Sequence, residues 1–204
     1  MTFAHVRLGV LALAGLAVGA VTAVAILPQA RERLLPGRSI QTWGEARVGG
    51  PFSLIDHTGR RVTAADFKGR IMLVLFGASS SPDLTPSALQ VLAAALDRLG
   101  PRADRFVPIL ITVDPERDTP QRLKAYVQGF HPRLVGLTGT PAEIAAVTRA
   151  YHVGGQGEEP RAPTGTLLDQ PPLVYVMDAD GRYLVHLNPA AGADAIAASL
   201  AKLG

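Results

Sequence analysis

Three kinds of hydrophobic pattern run along the chain. From Leu8 to Ala30 the sequence carries no charge for about 23 residues, with Gln29 as its most polar member, long enough to cross a hydrocarbon core of about 30 Å. Shorter unbroken apolar runs, Ile71 to Phe76 and Phe106 to Val113, have the length and β-branched content of strands buried on both faces, which implies a parallel sheet. A third pattern recurs at helical spacing: Leu89, Leu92, Ala93, Leu96 and Leu99 predict a helix over Pro86 to Leu99, stopped by Gly100.

Local signals fill the intervals. Phe52 to Ile55 and Arg61 to Thr63 around His57-Thr58-Gly59 read as a hairpin, and Leu173 to Met177 with Tyr183 to Leu187 around Asp178-Ala179-Asp180-Gly181 read as another. Thr119-Pro120 opens a helix reaching about Phe130. Thr140-Pro141-Ala142-Glu143 opens the next as a capping box with proline in the first turn, and a short strand, Leu134 to Leu137, lies between them. Ala193 to Leu203 predicts a terminal amphipathic helix. Strands alternating with helices give an α/β domain, a central mixed sheet flanked by helices. The expected organisation is an N-terminal transmembrane anchor at 1–30, a Pro- and Gly-containing linker at 31–50 and one domain at 51–204. Gly154 to Pro172, rich in glycine and proline, is the one long irregular stretch within that domain.

Charge narrows the function. The formal net charge is +3, and Arg7, Arg31, Arg33 and Arg38 against Glu32 supply all of it; the remainder is neutral, with 16 basic and 16 acidic residues. A chain without a basic excess in its folded part is not a nucleic-acid binder. It also has no cysteine, which removes disulfides, thiolate metal sites and thiol redox catalysis together. The expected class is therefore not an enzyme.

Three segments carry the most specific signal: Leu75-Phe76-Gly77 through Ser81-Pro82-Asp83-Leu84-Thr85-Pro86, then Ile111-Thr112-Val113-Asp114-Pro115-Glu116-Arg117-Asp118-Thr119-Pro120, then Asp169-Gln170 ahead of Val174-Tyr175-Val176-Met177-Asp178. With Phe130-His131-Pro132 and Gly136 to Pro141, they resemble the Sco/SenC family from about Pro51 to Leu187. The resemblance implies a thioredoxin-like fold on an N-terminal anchor, facing the periplasm or an equivalent extracytoplasmic space. It also implies a role in building the copper centre of cytochrome c oxidase, with an oxidase subunit or another copper chaperone as protein partner and copper as the family cofactor.

In that family, the resemblance places two cysteines and a histidine where this chain has Ser81, Thr85 and Gln170. Copper(I) is soft and favours thiolate, whereas hydroxyl and amide oxygens are hard donors that stay protonated or neutral near neutral pH. No metal is expected at these positions, and the leading reading is an accessory or assembly factor with a degenerate copper site. The alternative is a metal carrier using other ligands, drawn from His57, His131, His152 and His186 with Asp83 or Asp169. Ser81 as a nucleophile lacks a neighbouring base in sequence. Asp83, Asp114, Glu116, Arg117 and Asp169 are the candidate partner-facing residues, with Asp118 and Thr119 expected to cap the following helix and Arg117 to pair with a loop carboxylate. One of the bonds preceding Pro171 and Pro172 is expected to be cis.

Overall fold

The computed structural model describes residues 48–153 and 172–203. The expected anchor, most of the linker, and the stretch holding Asp169, Gln170 and Pro171 lie outside the described residues, so the cis-proline expectation does too. Among the described residues, no helix is long and apolar enough to cross a membrane.

The described elements follow the expected order: β1 (Ser53–Asp56), β2 (Arg61–Thr63), β3 (Ile71–Gly77), α1 (Leu84–Leu99), β4 (Phe106–Thr112), α2 (Pro120–Gln128), β5 (Val135–Thr138), α3 (Pro141–Ala150), β6 (Val174–Met177), β7 (Tyr183–Leu187) and α4 (Ala193–Leu200). They build one seven-stranded sheet in the order β2-β1-β5-β4-β3-β6-β7. Its centre is parallel, β3 with β4 and β4 with β5, because each crossover passes through a helix; β1 and β6 join on either side antiparallel.

The two fully buried strands β3 and β4 separate two cores. Side chains alternate across a strand, so Ile71, Leu73 and Leu75 meet α1, α2 and α4 on one face. Met72, Val74 and Phe76 point the other way, to α3, Tyr151 and the N-terminal hairpin. On that second face Phe76, Tyr151 and Tyr175 form a mutual cluster with centroids 5.2 to 5.8 Å apart. Burial pushes the Tyr151 phenol up to about 12.

Both hairpins turn on the same five-residue pattern, Asp-x-x-Gly-Arg. Asp56 Oδ1 accepts from the N–H groups of Thr58 (2.8 Å) and Arg60 (3.0 Å), and Asp178 Oδ1 accepts from those of Asp180 (2.9 Å) and Arg182 (2.8 Å). Gly59 (φ +88°) and Gly181 (φ +83°) take the left-handed conformation that only glycine adopts without strain. Several ends differ from the periodicity reading: α4 stops at Leu200 instead of Leu203, and β5 runs Val135–Thr138 instead of Leu134 to Leu137. Helix α1 begins at Leu84, two residues before the expected Pro86, and α2 stops at Gln128 instead of about Phe130.

Candidate functional site

Parallel registration sets Gly77 beside Thr112 at the carboxyl ends of β3 and β4, and Val113 N–H donates to Gly77 O at 3.0 Å. The two following loops, Ala78–Asp83 and Val113–Thr119, therefore leave the sheet side by side, at the edge where open α/β sheets place ligands. Gly77 is required there. A Cβ on it would lie 2.5 Å from Thr85 Oγ1 and 2.7 Å from Thr85 Cγ2, so the first turn of α1 rests directly on the strand end.

Asp118 ties the two loops. It was expected to cap α2, but the capping is done by Thr119, whose side chain accepts from Arg122 N–H at 3.3 Å. Asp118 instead turns inward and is fully buried. Its Oδ2 accepts from Ser79 N–H (3.0 Å) and Thr112 Oγ1–H (2.6 Å), and its Oδ1 accepts from the Ser79 hydroxyl. Arg122 Nε donates to Ser79 Oγ at 2.8 Å and lies 3.8 Å from Asp118 Oδ1, which places a cation beside a carboxylate otherwise held by neutral donors. Asp118 also acts on Tyr126, whose phenol is pushed up to about 12, first by burial and then by that charge.

A second, outer tier is polar and half-exposed. Asp114 Oδ2 accepts from Arg117 Nη1 at 3.1 Å and from Ser80 Oγ at 3.3 Å, the pairing foreseen for Arg117. Asp83, Glu116 and Arg117 are exposed and Asp114 is partly buried. Four of the five candidate partner-facing residues thus lie on these two loops or at the start of α1; the fifth, Asp169, lies outside the described residues.

Ser81 and Thr85 are buried, not displayed. Ser81 Oγ faces Thr85 N–H at 3.5 Å, and Thr85 Oγ1 accepts from Ala78 N–H at 3.3 Å, so both hydroxyls serve the start of α1, where Asp83 makes no side-chain cap. Two neutral, hard oxygens already engaged with backbone donors do not fit copper(I). Among the described residues, no hydrogen bond joins Ser81 to a histidine, and three of the histidines make contacts of their own. His57 Nδ1 accepts from Gly136 N–H (3.1 Å), His131 Nδ1 accepts from Arg133 N–H (3.2 Å), and His186 Nδ1 meets Tyr183 Oη at 2.7 Å. Among the described residues, no three His, Cys, Asp or Glu side chains are grouped to hold a metal ion. The network of Asp118 is what sequence reading missed; the sign was a polar run, Ser79-Ser80-Ser81, directly after a fully apolar strand.

A central parallel β3-β4-β5 core, an antiparallel β6-β7 hairpin and a helix starting just beyond β3 define a thioredoxin-like domain, with Ser81 and Thr85 at the start of that helix. The SCO1/SenC family model matches residues 40–204, and the chain belongs to that family. It is 41% identical over 142 residues to the mitochondrial SCO1 homolog 1 of Arabidopsis thaliana, a stretch covering 69% of this chain and 42% of that protein. The copper-bound structure of Bradyrhizobium japonicum ScoI superposes with a TM-score of 0.63 at 38% identity, covering 76% of this chain and 98% of that one. BsSco, a member of the Sco family of cytochrome c oxidase assembly proteins in which a disulfide switch was identified, shares the fold with a TM-score of 0.62 at 20% identity over 76% of this chain and 92% of its own.

Proposed function

We propose that this chain is a membrane-anchored accessory factor of the Sco type, acting in cytochrome c oxidase assembly through a protein partner and without carrying copper or thiol redox chemistry. Residues 1–30 are the anchor, 31–50 the linker and 51–204 the working domain, held on the extracytoplasmic side. The partner, an oxidase subunit or another copper chaperone, meets the loops that display Asp83, Asp114, Glu116 and Arg117, with Asp169 beyond them.

The observation that carries this reading is the fate of Ser81 and Thr85. Ser81 Oγ faces the Thr85 N–H of the first turn of α1 and Thr85 Oγ1 accepts from Ala78 N–H in the loop before it, while Asp118 holds that loop in place by bonds that need no metal. Loss of the soft ligands with retention of the scaffold supports a role for the surface over a role for the ion. Copper as cargo, as in the copper-bound Bradyrhizobium structure, has no fitting donors at these two positions.

Competition of the purified protein with a copper(I) chelator tests the proposal. No stoichiometric copper(I) is expected, and tight one-to-one binding would overturn it. The triple variant Ser81→Cys, Thr85→Cys, Gln170→His should gain copper(I) affinity by orders of magnitude, since thiolate and imidazole match the ion. A triple variant that folds and binds none would mean that Gln170 is not near Ser81, making the protein a remodelled relative with a different surface.

A further inference from the structure

At the opposite end of the sheet, where β3, β4 and β5 begin, lies a cleft of about 270 Å³ lined by Arg70, Asp104, Phe106, Val107, Arg133 and Val135. Its position follows from register: Ile71 is paired with Phe106, and Val135 with Ile109, so the residues just ahead of each strand converge. Phe106, Val107 and Val135 belong to the two cores or pack against them, and give the cleft an apolar floor. Its polar lining is the exposed side chains of Arg70, Arg133 and Asp104. Arg133 is steered by Asp104, at 2.8 Å from Nη1. Arg70 has no ion-pair partner among the described residues.

The neighbourhood reinforces the sign. Lys68, Arg102 and Arg105, all exposed, lie within a few residues of the cleft lining and likewise have no ion-pair partner among the described residues. Acids share this end: Asp66 is held by Thr63, Asp97 faces the His131 ring at 3.7 Å, and Asp180, on the hairpin that bonds to Gly69, is paired with Arg182 at 3.2 Å. The Ser81 end of the domain is the reverse, with Asp83, Asp114, Glu116 and Asp118 against Arg117 and Arg122. The charge balance of residues 39–204 is thus not repeated at the Ser81 end, where acids outnumber bases.

We propose that the Arg70–Arg133 cleft binds the phosphate group of a phosphoester. Guanidinium forks match phosphate oxygens two at a time, and an apolar floor below two forks suits an anion that carries carbon, in preference to a small, fully hydrated one. The same chemistry is offered by a soluble phosphoester and by an anionic phospholipid headgroup. The site is remote from Ser81 and does not depend on the reading of that end.

The test follows hydrogen exchange of residues 68–70, 104–107 and 133–135 in the full chain, in neutral detergent with glycerol 3-phosphate, and in nanodiscs with or without phosphatidylglycerol. Saturable protection by glycerol 3-phosphate, beyond that from sodium chloride of equal ionic strength, assigns the shared chemistry. Protection with phosphatidylglycerol nanodiscs alone assigns the lipid source. Arg70→Gln, which leaves the Arg133–Asp104 pair intact, should weaken the effect about tenfold, and Arg70→Gln with Arg133→Gln should abolish it. No protection in either arm, protection matched by sodium chloride, or full protection in the folded Arg70→Gln variant would each overturn the proposal.

Discussion

Ser79 N–H and the Asp118 carboxylate, 39 residues apart in the chain, meet at 3.0 Å beneath the loop that carries Ser81. Through this bond the β4–α2 loop governs the shape of the β3–α1 loop.

Removing the carboxylate tests that control. Asp118→Ala removes the acceptor of the partly buried Ser79 amide and hydroxyl and of the fully buried Thr112 Oγ1, and a buried donor left unpaired costs about 1–3 kcal/mol before relaxation. Urea unfolding should show a loss of at least about 2 kcal/mol. Exchange of the Ser79 amide should rise further than that of the β3 amides.

Gly77 and Thr85 should be energetically coupled. A methyl group at Gly77 points into Thr85, and overpacking at such a contact costs about 1–3 kcal/mol. In a Thr85→Ala background the same Gly77→Ala change should cost about 1 kcal/mol less. A double-mutant cycle with no coupling would mean that α1 yields instead of clashing.

His131 makes stability fall on acidification. Burial lowers its pKa below 6.5, Asp97 opposes this and Arg133 adds to it; its Nδ1 also accepts from Arg133 N–H, which a protonated ring cannot do. The folded state therefore binds the proton less readily than the unfolded chain does. The contribution is complete above the unfolded value near pH 6.5 and is lost as pH drops below it. Relative to His131→Asn, whose Oδ1 keeps the acceptor without titrating, the protein should lose stability between about pH 7 and about pH 5.

The capping box of α3 offers a local test. Thr140 Oγ1 accepts from Glu143 N–H at 3.2 Å, and Glu143 Oε2 accepts from Thr140 N–H at 2.8 Å. Thr140→Ala should cost about 1 kcal/mol in chemical denaturation, with little change in the slope of the transition, since the exposed surface is the same.

Much of this architecture was legible because its signals are local. The apolar runs of β3 and β4 could only be strands buried on both faces, and Thr140 to Glu143 announces its helix in four letters. The start of α1 was not, because its cap comes from Ser81, outside the usual capping position, and Pro86 falls inside a first turn that needs no N–H from it. At the site, the identity of Ser81 and Thr85 could be read but not what their hydroxyls bond. Asp118 looked like a helix cap because Asp-Thr-Pro is a capping sequence; that it turns under Ser79 depends on strand register, a long-range property. The cleft was invisible for the same reason: Arg70, Asp104 and Arg133 are scattered in sequence and line one cleft only when three strands begin at one level.

The repeated Asp-x-x-Gly-Arg turn makes the two outer hairpins of the sheet local, self-timed units. Asp56 and Asp178 organise their turns with bonds spanning at most four residues, so neither hairpin must wait for the parallel centre, whose strands pair only after a helix has crossed over. The two turns share their backbone path but not their side-chain contacts, since His57 also accepts from Gly136 N–H at 3.1 Å. The sheet is thus finished at both margins by one repeated corner, while the buried Asp118 network sits at the interior seam between β3 and β4.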